Sequence, residues 1–168
     1  STRFVQDALE RPKPMIRVGP NNEPMLQLIL EQALRAGFTE ATVVIAPNDT
    51  ITSSFLQEWG CQGRGMRIRT ALQSEPKGTG HAVQCALESD PVPPGAMWVL
   101  ANGDNLPTRL ALARLRIEGS GPAVLAYDRD ALGLDPNKTM AFAVLEGDGS
   151  TVHRITEKPD AAIVDRLA

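Results

Sequence analysis

Three short stretches carry side chains suited to gripping phosphate, a metal ion and a flat polar ring. In STRF and RPKPM, residues 1–4 and 11–15, Arg3 offers a forked guanidinium for bidentate phosphate contact. Lys13, held between two prolines of fixed φ, is a point charge on a stiff stem. Two cations near one loop suit a polyphosphate, and the plainer reading is a solvated basic loop at a chain terminus. In WVLANGDNL, residues 98–106, Asp104 stands at the tip of an apolar run, with Gly103 allowing a sharp turn and Asn102 and Asn105 beside it. A carboxylate there can hold Mg2+ between phosphate oxygens, because hard oxygen ligands suit that ion. An ordinary Asn-Gly-Asp turn has the same composition.

The third stretch, QSEPKGTGHAV at 73–83, follows one apolar run and opens another. Gly78 and Gly80 permit positive φ or close approach, so backbone N–H and C=O groups around Thr79 can bond the edge of a base, with Gln73 adding its amide. The alternative is a helix N-terminus capped by Thr79, with His81 merely in its first turn. Near the end, ITEKPD at 155–160 sets Glu157 beside Lys158. Adjacent residues on a strand face opposite ways, so the two serve one ligand only where the strand ends or bulges.

The elements that must position these residues alternate along the chain. Apolar residues at helical spacing predict a helix over 24–37, opened by Pro24 and closed by Gly37. The β-branched run at 41–46 predicts a strand buried on both faces. Further strands are expected at 66–72, 96–101 and 122–127, and further helices at 80–89 and 106–119. This is the pattern of an α/β, Rossmann-like, doubly wound and mostly parallel sheet, in which ligands gather at the carboxyl ends of strands. AFAVLE at 141–146 and TVHRITE at 151–157, joined by GDGS, add an antiparallel edge hairpin. The stretches 90–95 and 131–139 read as loops.

At 168 residues, with 42% hydrophobic residues and a formal net charge of -3, the chain suits one domain and lacks the basic excess of a nucleic-acid binder. No apolar run approaches the roughly 18 residues that span a bilayer, and the start has no signal-peptide core. The cysteines, Cys61 and Cys85, form no CxxC pair, which argues against a disulfide framework and fits a reducing cytoplasm.

Taken in order, STRF…PKPM, EPMLQLILEQALRAGFTEATVVI, QSEPKGTGHAV, WVLANGDNL and VHRITEKP resemble the sugar-1-phosphate nucleotidyltransferases, the nucleotide-diphosphate-sugar pyrophosphorylases, over nearly the whole chain. The resemblance implies attack of a sugar 1-phosphate oxygen on the α-phosphorus of a nucleoside triphosphate, with release of pyrophosphate and no covalent protein intermediate. It implies that Arg3 meets the departing phosphates, that Lys13 steadies charge near the α-phosphate, and that Asp104 holds Mg2+. It further implies that Gln73 and the Gly78, Thr79 and Gly80 backbone read the base, with UTP or dTTP favoured. Glu157 would bond sugar hydroxyls, and Lys158 the sugar phosphate.

The family's opening strand and most of its GGxGTRL loop would precede STRF. A missing central strand would leave buried backbone groups unpaired, at about 1–3 kcal/mol each. That strand is therefore expected to lie ahead of STRF rather than to be missing from the protein, and residues 1–168 are expected to be a single nucleotidyltransferase core without the first strand and the C-terminal part of the family domain. A second metal-binding aspartate would fall beyond the EKP motif. Ala143 stands where the family tends to have a glycine whose N–H meets the sugar. Two other readings are a non-catalytic nucleotide-binding or regulatory module of the same fold, and a cytidylyltransferase acting on an alcohol phosphate such as phosphocholine.

Overall fold

The computed structural model describes residues 2–117, 121–128, 130–135, 142–149, 151–157 and 159–160. They fall into two compact units, Ser1–Ala123 and Val124–Ala168. The architecture is α/β, with one parallel strand pair and a separate antiparallel pair.

The first unit opens with helix α1, Thr2–Glu10, followed by a single 3-10 turn over Lys13–Met15. Helix α2, Met25–Arg35, starts after Pro24 and stops before Gly37, whose φ of +92° ends it. Strand β1, Glu40–Ile45, pairs in parallel with β2, Arg67–Leu72, in register from Glu40 opposite Arg67 to Ile45 opposite Leu72. Helix α3, Thr50–Cys61, crosses between them.

That helix is not expected from periodicity, because Thr, Ser and Gly dilute its apolar stripe. Capping and burial supply what propensity does not. The Asp49 carboxylate accepts from Thr52 N at 2.9 Å and from Thr52 Oγ1 at 2.6 Å, while Leu56 and Trp59 are buried.

Met15, Leu26, Leu30, Ile45, Leu56, Trp59 and Met66 form one core. The 3-10 turn is therefore anchored by the same cluster that holds the carboxyl end of β1. Helix α4, Thr79–Ser89, packs on both strands. Its far end is tied down where Asp90 accepts from Thr42 Oγ1 at 2.8 Å and from Arg69. The Arg69 guanidinium holds the Asp90 carboxyl below the usual range. Helix α5, Arg109–Ile117, buries Leu112.

Two expected strands are absent among the described residues, at 96–101 and at 122–127. Apolar composition favours burial, but a strand also needs a neighbour for its ladder. Neither run joins a sheet, and Met97, Trp98 and Leu100 are about half exposed at 50%, 50% and 55%. Likewise β1 is half-buried over most of its length rather than covered on both faces. The end of the expected helix 106–119, residue 141 of the expected hairpin and residues 136–139 of the expected loop lie outside the described residues.

In the second unit, a short 3-10 turn covers Asp130–Leu132. Strands β3, Val144–Gly147, and β4, Val152–Thr156, pair antiparallel as expected. Val144 lies opposite Thr156, and the register shifts between Glu146 and Gly147.

Candidate functional site

Lys13 and Asp104, 91 positions apart in sequence, meet in space with Nζ 3.8 Å from Oδ2. The burial of Met15 draws the 3-10 turn inward and leaves the Lys13 side chain pointing out, 80% exposed. The Asn102–Asn105 turn closes with a 3.2 Å bond from Asn105 N to Asn102 O. It lies against that segment so tightly that a Cβ on Gly103 would stand 2.7 Å from Pro14 Cγ. Gly103 is needed for this approach rather than for a left-handed turn.

The segment that carries the 3-10 turn is clamped at its two ends by groups that no sequence pattern singled out. Asp7 on α1 is buried, at 2% exposure. It accepts from Arg17 Nε at 2.8 Å, from Nη2 at 2.5 Å and from the Arg17 backbone N at 3.3 Å. The Arg17 fork pulls the Asp7 carboxyl down to about 2. Arg3 lies at the N-terminal end of α1, in a helix rather than a loop, and its side chain is outside what the structure describes.

At the other motif, Gln73 extends the sheet by one bond, its N donating to Ile45 O at 2.9 Å. It therefore sits at the carboxyl edge of β2. Gly78, with φ +91°, is the residue that enters α4. That positive φ favours glycine, and it leaves Thr79 inside the helix, not at its cap. Gln73 Nε2 donates to Gly78 O at 3.1 Å and lies 3.1 Å from His81 Nδ1. His81 Nδ1 is also 3.1 Å from Glu75 O, and its Nε2 is 3.7 Å from Cys85 Sγ.

In the second unit, Ala143 and Glu157 are the next residues beyond the Val144–Thr156 pair, so they flank the open end of the hairpin from opposite strands. Lys158 lies outside the described residues.

A family model described as nucleotidyl transferase matches residues 1–167. The chain belongs to that family. The resemblance to sugar-1-phosphate nucleotidyltransferases is borne out. Among curated relatives, the bifunctional protein GlmU of Trichlorobacter lovleyi is 34% identical over 83% of this chain and 28% of its own length. GlmU of Sorangium cellulosum is 32% identical over 61% of this chain and 22% of its own. GlmU of Maricaulis maris is 30% identical over 73% and 28%. The chain thus spans under a third of the length of these relatives.

No group of three or more His, Cys, Asp or Glu side chains able to hold a metal occurs among the described residues. One carboxylate is nonetheless a sufficient protein anchor for Mg2+ when substrate phosphates and water complete the octahedron. A separate cavity of about 240 Å³, lined by Pro24, Gln27, Phe55, Trp59 and Arg64 among others, includes none of the candidate site residues. Its Arg64 guanidinium lies 5.4 Å from the Trp59 ring centroid, and the Trp59 indole N–H is buried without a partner. No helix among the described residues is long and apolar enough to cross a membrane.

Proposed function

We propose that this chain forms the nucleotide-binding core of an enzyme that transfers a nucleotidyl group from a nucleoside triphosphate, UTP or dTTP by preference, to a sugar 1-phosphate. The observation that carries this reading is the meeting of Lys13 with Asp104 across Gly103 and Pro14. It is a cation and a hard carboxylate, both exposed, at the tip of a loop that follows an apolar run. The transfer needs no covalent protein intermediate.

In the reaction, a phosphate oxygen of the sugar 1-phosphate forms a bond to the α-phosphorus as the α–β bridging bond breaks. The electron pair leaves with pyrophosphate. Catalysis is positioning and charge neutralisation. Lys13 offsets charge at the α-phosphate, and Arg3 meets the departing phosphates. Gln73 with the Gly78, Thr79 and Gly80 backbone receives the base. Ala143 N–H and Glu157 meet the sugar, and Lys158 meets its phosphate. Asp104 would hold Mg2+, which when bound neutralises phosphate charge and orients the triphosphate. We place the enzyme in the cytoplasm.

Pyrophosphate release, measured across four nucleoside triphosphates and several sugar 1-phosphates with Mg2+, tests the proposal. Release that needs both substrates supports it. Nucleotide binding without release would instead favour a regulatory module, and release with an alcohol phosphate a different acceptor.

A further inference from the structure

We propose that His81 is a positioning residue which, together with the Gly78 carbonyl, holds the face that Gln73 shows to a base, and thereby contributes to base preference. The inference rests on the nucleotidyl-transfer reading and deepens it. Gln73 Nε2 lies 3.1 Å from Gly78 O, and a carbonyl oxygen only accepts, so that end of the side chain must be the NH2. Its second hydrogen points to His81 Nδ1, also at 3.1 Å. With both amide hydrogens engaged, Oε1 is the group left without a partner among the described residues, and Gln73 presents an acceptor.

This arrangement depends on which ring nitrogen of His81 carries the proton. Nδ1 has Gln73 Nε2 on one side and Glu75 O on the other, each at 3.1 Å. A bare Nδ1 serves the amide, whereas a protonated Nδ1 serves the carbonyl and opposes the amide. The amide NH2, held by Gly78 O, faces Nδ1 and favours the bare form, and Cys85 Sγ, 3.7 Å from Nε2, is then placed to accept the Nε2 hydrogen. If Nδ1 carried the proton, it would oppose the amide hydrogen and favour the reverse orientation, oxygen to His81 and NH2 outward, leaving Gly78 O alone to hold the NH2 in place. An outward oxygen suits a base whose ring nitrogen bears hydrogen, as in uracil or thymine. An outward NH2 suits one whose ring nitrogen is bare, as in cytosine. His81 is half-buried, on a helix with no fully buried residue, so replacing it leaves the fold intact.

Two measurements test this. In 15N-histidine NMR of the neutral imidazoles, with His153→Asn assigning the other resonance, His81 is expected as the Nε2–H tautomer. An Nδ1–H tautomer overturns the inference. In kinetics, His81→Phe keeps the bulk but removes the acceptor. It is expected to raise KM for UTP about fivefold, the equivalent of one hydrogen bond, with kcat within about twofold, and to lower the preference for UTP over CTP by a similar factor. His81→Asn, whose Oδ1 reaches near the position of Nδ1, restores both. Unchanged KM and preference in His81→Phe would sink the idea. UTP binding by equilibrium titration needs no turnover. A protein that binds UTP with these His81 effects yet releases no pyrophosphate refutes the transfer reaction and not the role of His81, while failure to bind UTP overturns both.

Discussion

Lys13 and Asp104 are 80% and 57% exposed at their side chains. At such exposure a single ion pair contributes about 0–1 kcal/mol to stability. The pair is therefore not retained by folding energetics, and its substitution separates function from fold. Asp104→Ala is expected to lower kcat by about a hundredfold or more, the scale seen when one preorganised electrostatic contact is removed. The thermal midpoint should move by only a few degrees. Wild-type turnover in this variant would discard the metal role for Asp104. A collapse in melting temperature would instead mean that the residue holds the turn together. Asp7 behaves in the opposite way, being buried and held by Arg17. Its folded pKa of about 2 lies below the ordinary 3.8. The stability it contributes is present above pH 3.8 and is lost as pH falls through about 2. Thermal melts between pH 5 and pH 2 should therefore show a steeper loss for wild type than for Asp7→Asn. Equal slopes would mean that another carboxylate dominates acid unfolding.

Between elements, the decisive feature is the contact of the Asn102–Asn105 turn with the Lys13–Met15 turn. Gly103→Ala must push its new methyl into Pro14, 2.7 Å away at Cγ, and a proline ring has little freedom to yield. The expected result is an enlarged Lys13–Asp104 separation and roughly a tenfold or greater loss of kcat, because misplacement by an ångström is costly where catalysis is positioning. Kinetics with melting curves check it, and unchanged turnover would show that the two turns need not touch. The sequence revealed α2, β1, β2, α4 and the hairpin, because each has its own periodicity or capping signal. It concealed α1 and α3, whose formation depends on partners distant in sequence. α1 is held by Arg17 through Asp7, and α3 by the burial of Leu56 and Trp59. The same logic divides the candidate site. Lys13, Gln73 and Asp104 were visible by residue type and local spacing, whereas the support given by Asp7, Arg17, His81 and Pro14 exists only once the chain has folded.

Across the whole molecule, apolar composition and actual burial part company at 96–101. The run was expected to be an internal strand, yet Met97, Trp98 and Leu100 stand about half exposed, at 50%, 50% and 55%. Trp59 in the core is only 2% exposed. Burial responds to total apolar area, but strand formation also demands a ladder partner on each side that is to be hidden. A parallel pair of β1 and β2 alone offers too little sheet to cover such a run. The two tryptophans of the chain report this difference directly. Acrylamide should quench one emitting component strongly and leave a second, blue-shifted component largely unaffected. In Trp98→Phe only the protected component should remain, and in Trp59→Phe only the accessible one. A Trp98 signal as protected as that of Trp59 would mean that the 96–101 run is covered in solution, and that the sheet is wider than the paired strands described here.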